Sequence, residues 1–76
     1  MIISRVPELR LEKERREGRK LPIRVISEET GLSSGAVFRL LSDKVERVDT
    51  ATLDVMCNYF GCGVGDLLEH TKGGNS

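Results

Sequence analysis

The stretch from residue 23 to residue 41 constrains the fold more than any other part of the chain. Two short segments with apolar residues at helical spacing flank Thr30-Gly31-Leu32-Ser33. A turn of three to four residues that contains glycine is typical of the helix-turn-helix layout. Gly31 suits a turn with positive φ, and Ser33 suits the N-cap of the following helix. Small Ser27 stands where the two helices would cross. The sequence therefore predicts two packed helices joined by a tight turn.

Helix start and stop signals elsewhere predict three further helices, which makes five. Pro7 suits the first turn of a helix that ends at Gly18. The fourth helix begins at Asp49 or Thr50 and closes at Gly61, and a short helical turn covers residues 64–69. We expect one domain over residues 1–70, followed by a flexible tail over residues 71–76 that is polar and rich in glycine.

The composition of the 76 residues excludes several classes of protein. No run of about 18 apolar residues is present, so we expect no membrane span. The two cysteines are too few to cross-link a small secreted fold, which favours a reducing cytoplasm. With one histidine near the tail, no catalytic set is apparent. We therefore expect a protein that is not an enzyme and that needs no cofactor.

The charged residues are unevenly distributed, although the net charge is zero. Up to Arg47 the chain carries eleven Lys and Arg against eight Asp and Glu, and from Val48 onward it carries one Lys against four. The first part can therefore face phosphate groups while the second part has another role.

The ordered set of motifs resembles the Cro/repressor-type helix-turn-helix family, also called the XRE or λ-repressor-like family. The resemblance covers residues 2–69. It rests on Glu28-Glu29-Thr30-Gly31-Leu32-Ser33 followed by Val37 and a Leu-Leu pair, and on Thr52-Leu53-Asp54, Phe60-Gly61-Cys62 and Gly65-Asp66-Leu67-Leu68-Glu69. It implies an all-α, λ-repressor-like domain of five helices. In some members an amino-terminal strand pairs with the segment before helix four, which here would join residues 2–5 to residues 45–48 in a two-stranded β ladder.

The same resemblance implies a sequence-specific transcriptional regulator that reads double-stranded DNA with its third helix in the major groove. Carried over position by position, four residues of that helix would contact bases: Ser34, Gly35, Phe38 and Arg39. Residues near the ends of the motif would contact phosphates: Arg19, Lys20, Arg24, Lys44 and Arg47. The chain departs from the family at Ile23, where many members have glutamine, and at Ser34 and Gly35, where long polar side chains are common.

Two functional hypotheses stay open at this stage. The first is the DNA-binding regulator, expected as a homodimer. The second is a protein-interaction module, such as an antitoxin-like or accessory protein. It would keep the fold but use Phe38 and the acidic second half of the chain to bind a protein partner. The basic first half favours DNA, whereas zero net charge and a glycine inside helix three favour the second hypothesis.

Smaller features also allow two interpretations each. Cys57 and Cys62 fit small buried apolar residues better than metal ligands, because a site would need two more ligands. His70 fits a solvated residue at a helix end better than a ligand. Val64, Leu67 and Leu68 could form a dimer surface or could complete the core of the monomer.

Overall fold

The structure, a computed structural model, describes residues 1–42, 45 and 47–71. These residues form five helices and a two-stranded antiparallel sheet, in the order β1 (Ile2–Ser4), α1 (Val6–Glu17), α2 (Ile23–Thr30), α3 (Ser34–Leu41), α4 (Thr50–Phe60), α5 (Val64–Leu67) and β2 (Leu68–His70). The predicted all-α class with five helices and a small ladder is confirmed. Of the predicted tail over residues 71–76, residues 72–76 lie outside the described residues, and Thr71 exchanges backbone hydrogen bonds with Met1.

Capping residues set most of the helix ends where the sequence predicts them. The Ser33 side chain accepts a hydrogen bond from the Ala36 N–H at the start of α3. The Asp49 side chain accepts one from the Thr52 N–H at the start of α4. Helix α4 ends at Gly61, whose φ of 67° is a conformation that residues with a Cβ resist. These predicted boundaries are confirmed. They could be predicted because each depends on contacts within a few residues.

The fifth helix is shorter than predicted. It ends at Leu67, and the next three residues form β2 instead of continuing the helix over 64–69. The prediction was wrong at this end because the backbone of Leu68–His70 bonds to β1, which lies outside any local window of sequence.

The ladder has a different partner from the predicted one. β1 pairs with β2, with Ile2 opposite His70 and Ser4 opposite Leu68, and residues 45, 47 and 48, the described part of the predicted partner, form no strand. The Val45 N–H does donate to the Ile2 carbonyl at 3.3 Å, so that segment touches β1 without replacing β2. Packing of Leu67 in the core brings the chain beyond it alongside β1, and the Arg5 N–H donates to the Leu67 carbonyl at 2.7 Å.

The core is built from every helix and from the α1–α2 connection. Its fully or nearly buried apolar residues, among those described, are Val6, Leu21, Ile26, Val37, Leu40, Met56, Phe60 and Leu67. The Ser4 side chain is buried among them, and its hydroxyl donates to the Leu40 carbonyl and accepts from the Val6 N–H. These two hydrogen bonds satisfy the Ser4 hydroxyl, which would otherwise be costly to bury. No described helix is long and apolar enough to cross a membrane.

Candidate nucleic-acid interface

Helix α3 has one buried face and one exposed face. Val37 is fully buried and Leu40 is 2% exposed, whereas Phe38 is 61% exposed. All four residues that the resemblance assigns to base contacts lie exposed on the remaining surface of this helix: Ser34, Gly35, Phe38 and Arg39. The structure therefore brings the predicted base-contact residues together on one solvent-facing surface.

The turn between α2 and α3 is held by hydrogen bonds of its own. Gly31 has a φ of 79°, and its N–H donates to the Ser27 carbonyl at 2.9 Å. The Ser27 hydroxyl donates to the Leu32 carbonyl, so Ser27 also stabilises the turn. The Thr30 hydroxyl accepts from the Leu32 N–H at 3.2 Å. These contacts fix the direction in which α3 leaves the turn.

A shallow cleft beside α3 holds two arginines. Arg39 and Arg47 both line this space of about 450 Å³, together with the turn residue Ser33 and the start of α4. Arg47 is exposed, and neither guanidinium forms an ion pair with any carboxylate in the part of the chain that the structure describes. The cleft also contains the Asp49 carboxylate, which caps α4, so its described lining carries two positive charges and one negative charge.

The other predicted phosphate contacts lie in different surroundings. Lys20 and Arg24 are exposed at the start of α2, and Arg24 makes only a 4.0 Å ion pair with Glu28. Such a loose, solvated pair contributes little and leaves the cation available. Lys44 lies outside the described residues.

Arg19 is engaged within the protein. Its guanidinium donates two hydrogen bonds to Glu29, at 2.7 and 3.0 Å, and a third to Glu17 at 2.8 Å. The hydrogen bonds from Arg19, followed by one from Tyr59, lower the pKa of Glu29 to about 2. This bidentate arrangement joins the connection after α1 to helix α2.

Tyr59 extends this cluster to α4. Its hydroxyl donates to Glu29 at 2.6 Å, and burial together with that carboxylate raises the pKa of Tyr59. Lys13 lies over the Tyr59 ring, 4.6 Å from its centre, and pairs with Glu17 at 2.7 Å. Sequence reasoning missed this cluster, because its members are separated by up to 46 residues and none belongs to a recognisable motif.

Comparison with known families decides what kind of domain carries this surface. A family model described as a Cro/C1-type HTH DNA-binding domain matches residues 13–73, which is most of the chain. The chain belongs to the Cro/C1-type helix-turn-helix family. Comparison with curated proteins and with solved structures gives no match. The predicted family and the general expectation of DNA binding are therefore confirmed for this Cro/C1-type domain.

The two cysteines of this Cro/C1-type domain lie at the end of α4. Both cysteines are free and half-buried against the hydrophobic core, so the expectation of small buried apolar residues is met in part. Burial raises the pKa of the Cys62 thiol, and the nearby Cys57 raises it further. Within the described residues, no group of three or more possible ligands is arranged to hold a metal ion.

Proposed function

We propose that this protein is a sequence-specific transcriptional regulator that reads the major groove of double-stranded DNA with α3. One observation carries the proposal: α3 is anchored through Val37 and Leu40 while its opposite surface is open to solvent. A helix held firmly from one side can enter a groove about 12 Å wide with its other side toward the base edges. The fixed turn before α3 supports this arrangement, because register on DNA requires a defined helix direction.

The four exposed residues of α3 suit different contacts. Arg39 can donate two hydrogen bonds to guanine, and Phe38 can pack against a thymine methyl group. Gly35 has no neighbour within 4 Å of the place where a Cβ would stand, and its φ is not positive. The fold of the monomer therefore does not demand glycine there, which favours a close approach of DNA at Ser34 and Gly35.

We propose that Lys20, Arg24, Lys44 and Arg47 contact phosphates on either side of the groove. Such contacts set the orientation of the protein and carry no sequence information by themselves. Arg19 is the weakest of the predicted phosphate contacts, since it would have to leave two carboxylates to reach DNA. Its ion pairs favour a role in positioning α2.

We propose further that the protein acts in the cytoplasm as a homodimer on a palindromic site. One helix-turn-helix unit touches few base pairs, and a second half-site about one helical turn away multiplies specificity. Val64, which is 52% exposed at the start of α5, is the best candidate for the dimer surface. Leu67 is fully buried and belongs to the core of the monomer, so it is no longer a candidate.

Binding to a protein partner is the alternative function. The exposed Phe38 ring and the zero net charge favour it, because an apolar anchor surrounded by polar residues is common in protein interfaces. The two functions differ in their dependence on salt. Binding to DNA releases counterions and weakens steeply with salt, whereas an interface centred on Phe38 does not.

Selection from a random duplex pool, followed by titration of the preferred site at several salt concentrations, tests the proposal. If a dimer neutralises roughly eight phosphates, the log–log slope of affinity against salt should be about −7. Arg39→Ala should weaken binding to the preferred site by about 1–3 kcal/mol and leave nonspecific affinity almost unchanged. Arg47→Ala should weaken binding to all duplexes alike and flatten the slope by about one.

Arg16→Ala is the matched control, because it removes the same charge from an exposed position on α1 outside the proposed interface. It should leave site preference unchanged. Absence of duplex affinity at low salt, or an Arg39→Ala variant with unchanged site preference, would contradict the proposal. Either result would favour the protein-interaction module.

A further inference from the structure

The end of α4 brings two cysteine residues side by side. The N–H groups of Gly61 and Cys62 both bond to the carbonyl of Cys57, the second at 3.0 Å. In a glycine-terminated cap with this bond, the residue after the glycine commonly contacts the residue whose carbonyl accepts. Here those two residues are Cys62 and Cys57.

The two cysteines are also accessible to small molecules in solution. Both are free, and each side chain is partly exposed to solvent. After burial, the largest influence that raises the pKa of Cys62 is the Cys57 thiol, which acts over a short distance. The backbone bond places Cys57 and Cys62 at the two positions of the cap whose side chains commonly meet, and the raised pKa of Cys62 agrees with this placement.

We propose that Cys57 and Cys62 form a reversible intrachain disulfide by exchange with a small-molecule disulfide such as glutathione disulfide. A thiolate of the pair attacks one sulfur of the small disulfide, whose S–S bond breaks and releases one small thiol. The second protein thiolate then attacks the mixed disulfide and releases the other small thiol. Two electrons and two protons pass from the protein dithiol to the small disulfide, which becomes two thiols.

The position of the pair gives the disulfide a structural effect. The ring it closes spans residues 57–62 and contains the turn that joins α4 to α5. Beyond this turn the chain supplies Leu67 to the core and Leu68–His70 to the sheet. A covalent link across the turn restricts the unfolded chain, so the oxidised protein should unfold at a higher urea concentration than the reduced protein.

Equilibration of the folded protein in buffers of different ratios of glutathione to glutathione disulfide tests the proposal. Samples are quenched in acid and alkylated, and the mass of the protein is measured by mass spectrometry. Circular dichroism checks that the helices persist. We expect a monomeric species lighter by two hydrogen atoms that resists alkylation and reverts when glutathione is added. The urea midpoint of this species should rise.

Cys57→Ser and Cys62→Ser are the matched controls. Each leaves one thiol, so oxidation should yield a mixed disulfide with glutathione and no rise in the urea midpoint. Three results would overturn the proposal: a wild-type chain that stays reduced in the most oxidising buffer, one that accumulates only mixed or interchain disulfides, or one that forms the ring only in denaturant. The test involves no DNA, so its outcome is independent of the proposed regulatory function.

Discussion

Replacement of Leu67 by alanine tests how far the short carboxy-terminal elements hold the domain together. Leu67 is the last residue of the four-residue α5 and is fully buried. Its carbonyl accepts the Arg5 N–H at 2.7 Å, directly before β2 begins. Loss of its side chain should therefore loosen both the core and the attachment of β2 to β1.

The expected magnitude follows from burial. Removing three carbon atoms from a fully buried leucine costs about 0.8 kcal/mol each in transfer free energy, and an unfilled cavity adds to this. We expect the free energy of unfolding to fall by about 3 kcal/mol. A domain of this length has a total of roughly 4–11 kcal/mol, so Leu67→Ala should remove a large part of its stability. With a urea m-value near 1 kcal/mol/M, the midpoint should fall by about 3 M.

Urea unfolding followed by far-ultraviolet circular dichroism provides the measurement. Leu11→Ala is the matched control, since it makes the same chemical change at a position on α1 that is 53% exposed. It should cost less than about 1 kcal/mol, because leucine and alanine have similar helix propensity. Equal losses in the two variants would refute the assignment of Leu67 to the core, and the dimer-surface interpretation would regain support.

Three further predictions concern glycine positions and pH. Gly31→Ala should lower the free energy of unfolding by about 1–2 kcal/mol in urea melts, because its φ of 79° is strained for any residue with a Cβ. Gly35→Ala should instead raise it by a few tenths to about 1 kcal/mol, yet weaken duplex binding in a titration; unchanged affinity would argue against close approach of DNA. Hydrogen bonds from Arg19, the larger cause, and from Tyr59 lower the pKa of Glu29 to about 2. The ionised Glu29 therefore contributes its full stabilisation above its usual pKa, and this stabilisation is lost as the pH falls toward 2. Glu29→Gln should therefore reduce the change of the urea midpoint with pH between about pH 5 and pH 2. Tyr59→Phe should reduce this change in part. Plots of the urea midpoint against pH that run parallel for both variants and the wild type would contradict the prediction.

Helix boundaries and the α3 surface could be predicted because their causes are local. Ser33 and Asp49 cap helices through bonds to residues three positions away, and Gly61 ends α4 through a bond to Cys57. The buried side of α3 follows from the helical period, which places Val37 and Leu40 on one face, whereas the exposed position of Phe38 was implied by the family resemblance. The family resemblance then supplied the function of that surface.

The state of Arg19 shows what reading residues one at a time leaves out. As a basic residue near the start of α2, it was grouped with Lys20 and Arg24 as a phosphate contact. In the structure its guanidinium forms ion pairs with Glu29 and Glu17, and its contact with phosphate stays a prediction. Nothing in its immediate sequence distinguishes it from its neighbours, because Glu29 lies ten residues away and is oriented by contacts with α4.

The sequence by itself determined where each helix begins, which side of α3 packs inward and which family the chain resembles, since these depend on side chains within one or two helical turns. Only the tertiary structure decided that β1 pairs with β2, that Leu67 enters the core and that Arg19 pairs with Glu29. Local β propensity favours residues 45–48, which contain two valines, over Leu68–His70, yet it is Leu68–His70 that pairs with β1. The choice depends on which segment the packed helices bring alongside Ile2–Ser4, and burial of Leu67 directly before β2 makes that selection.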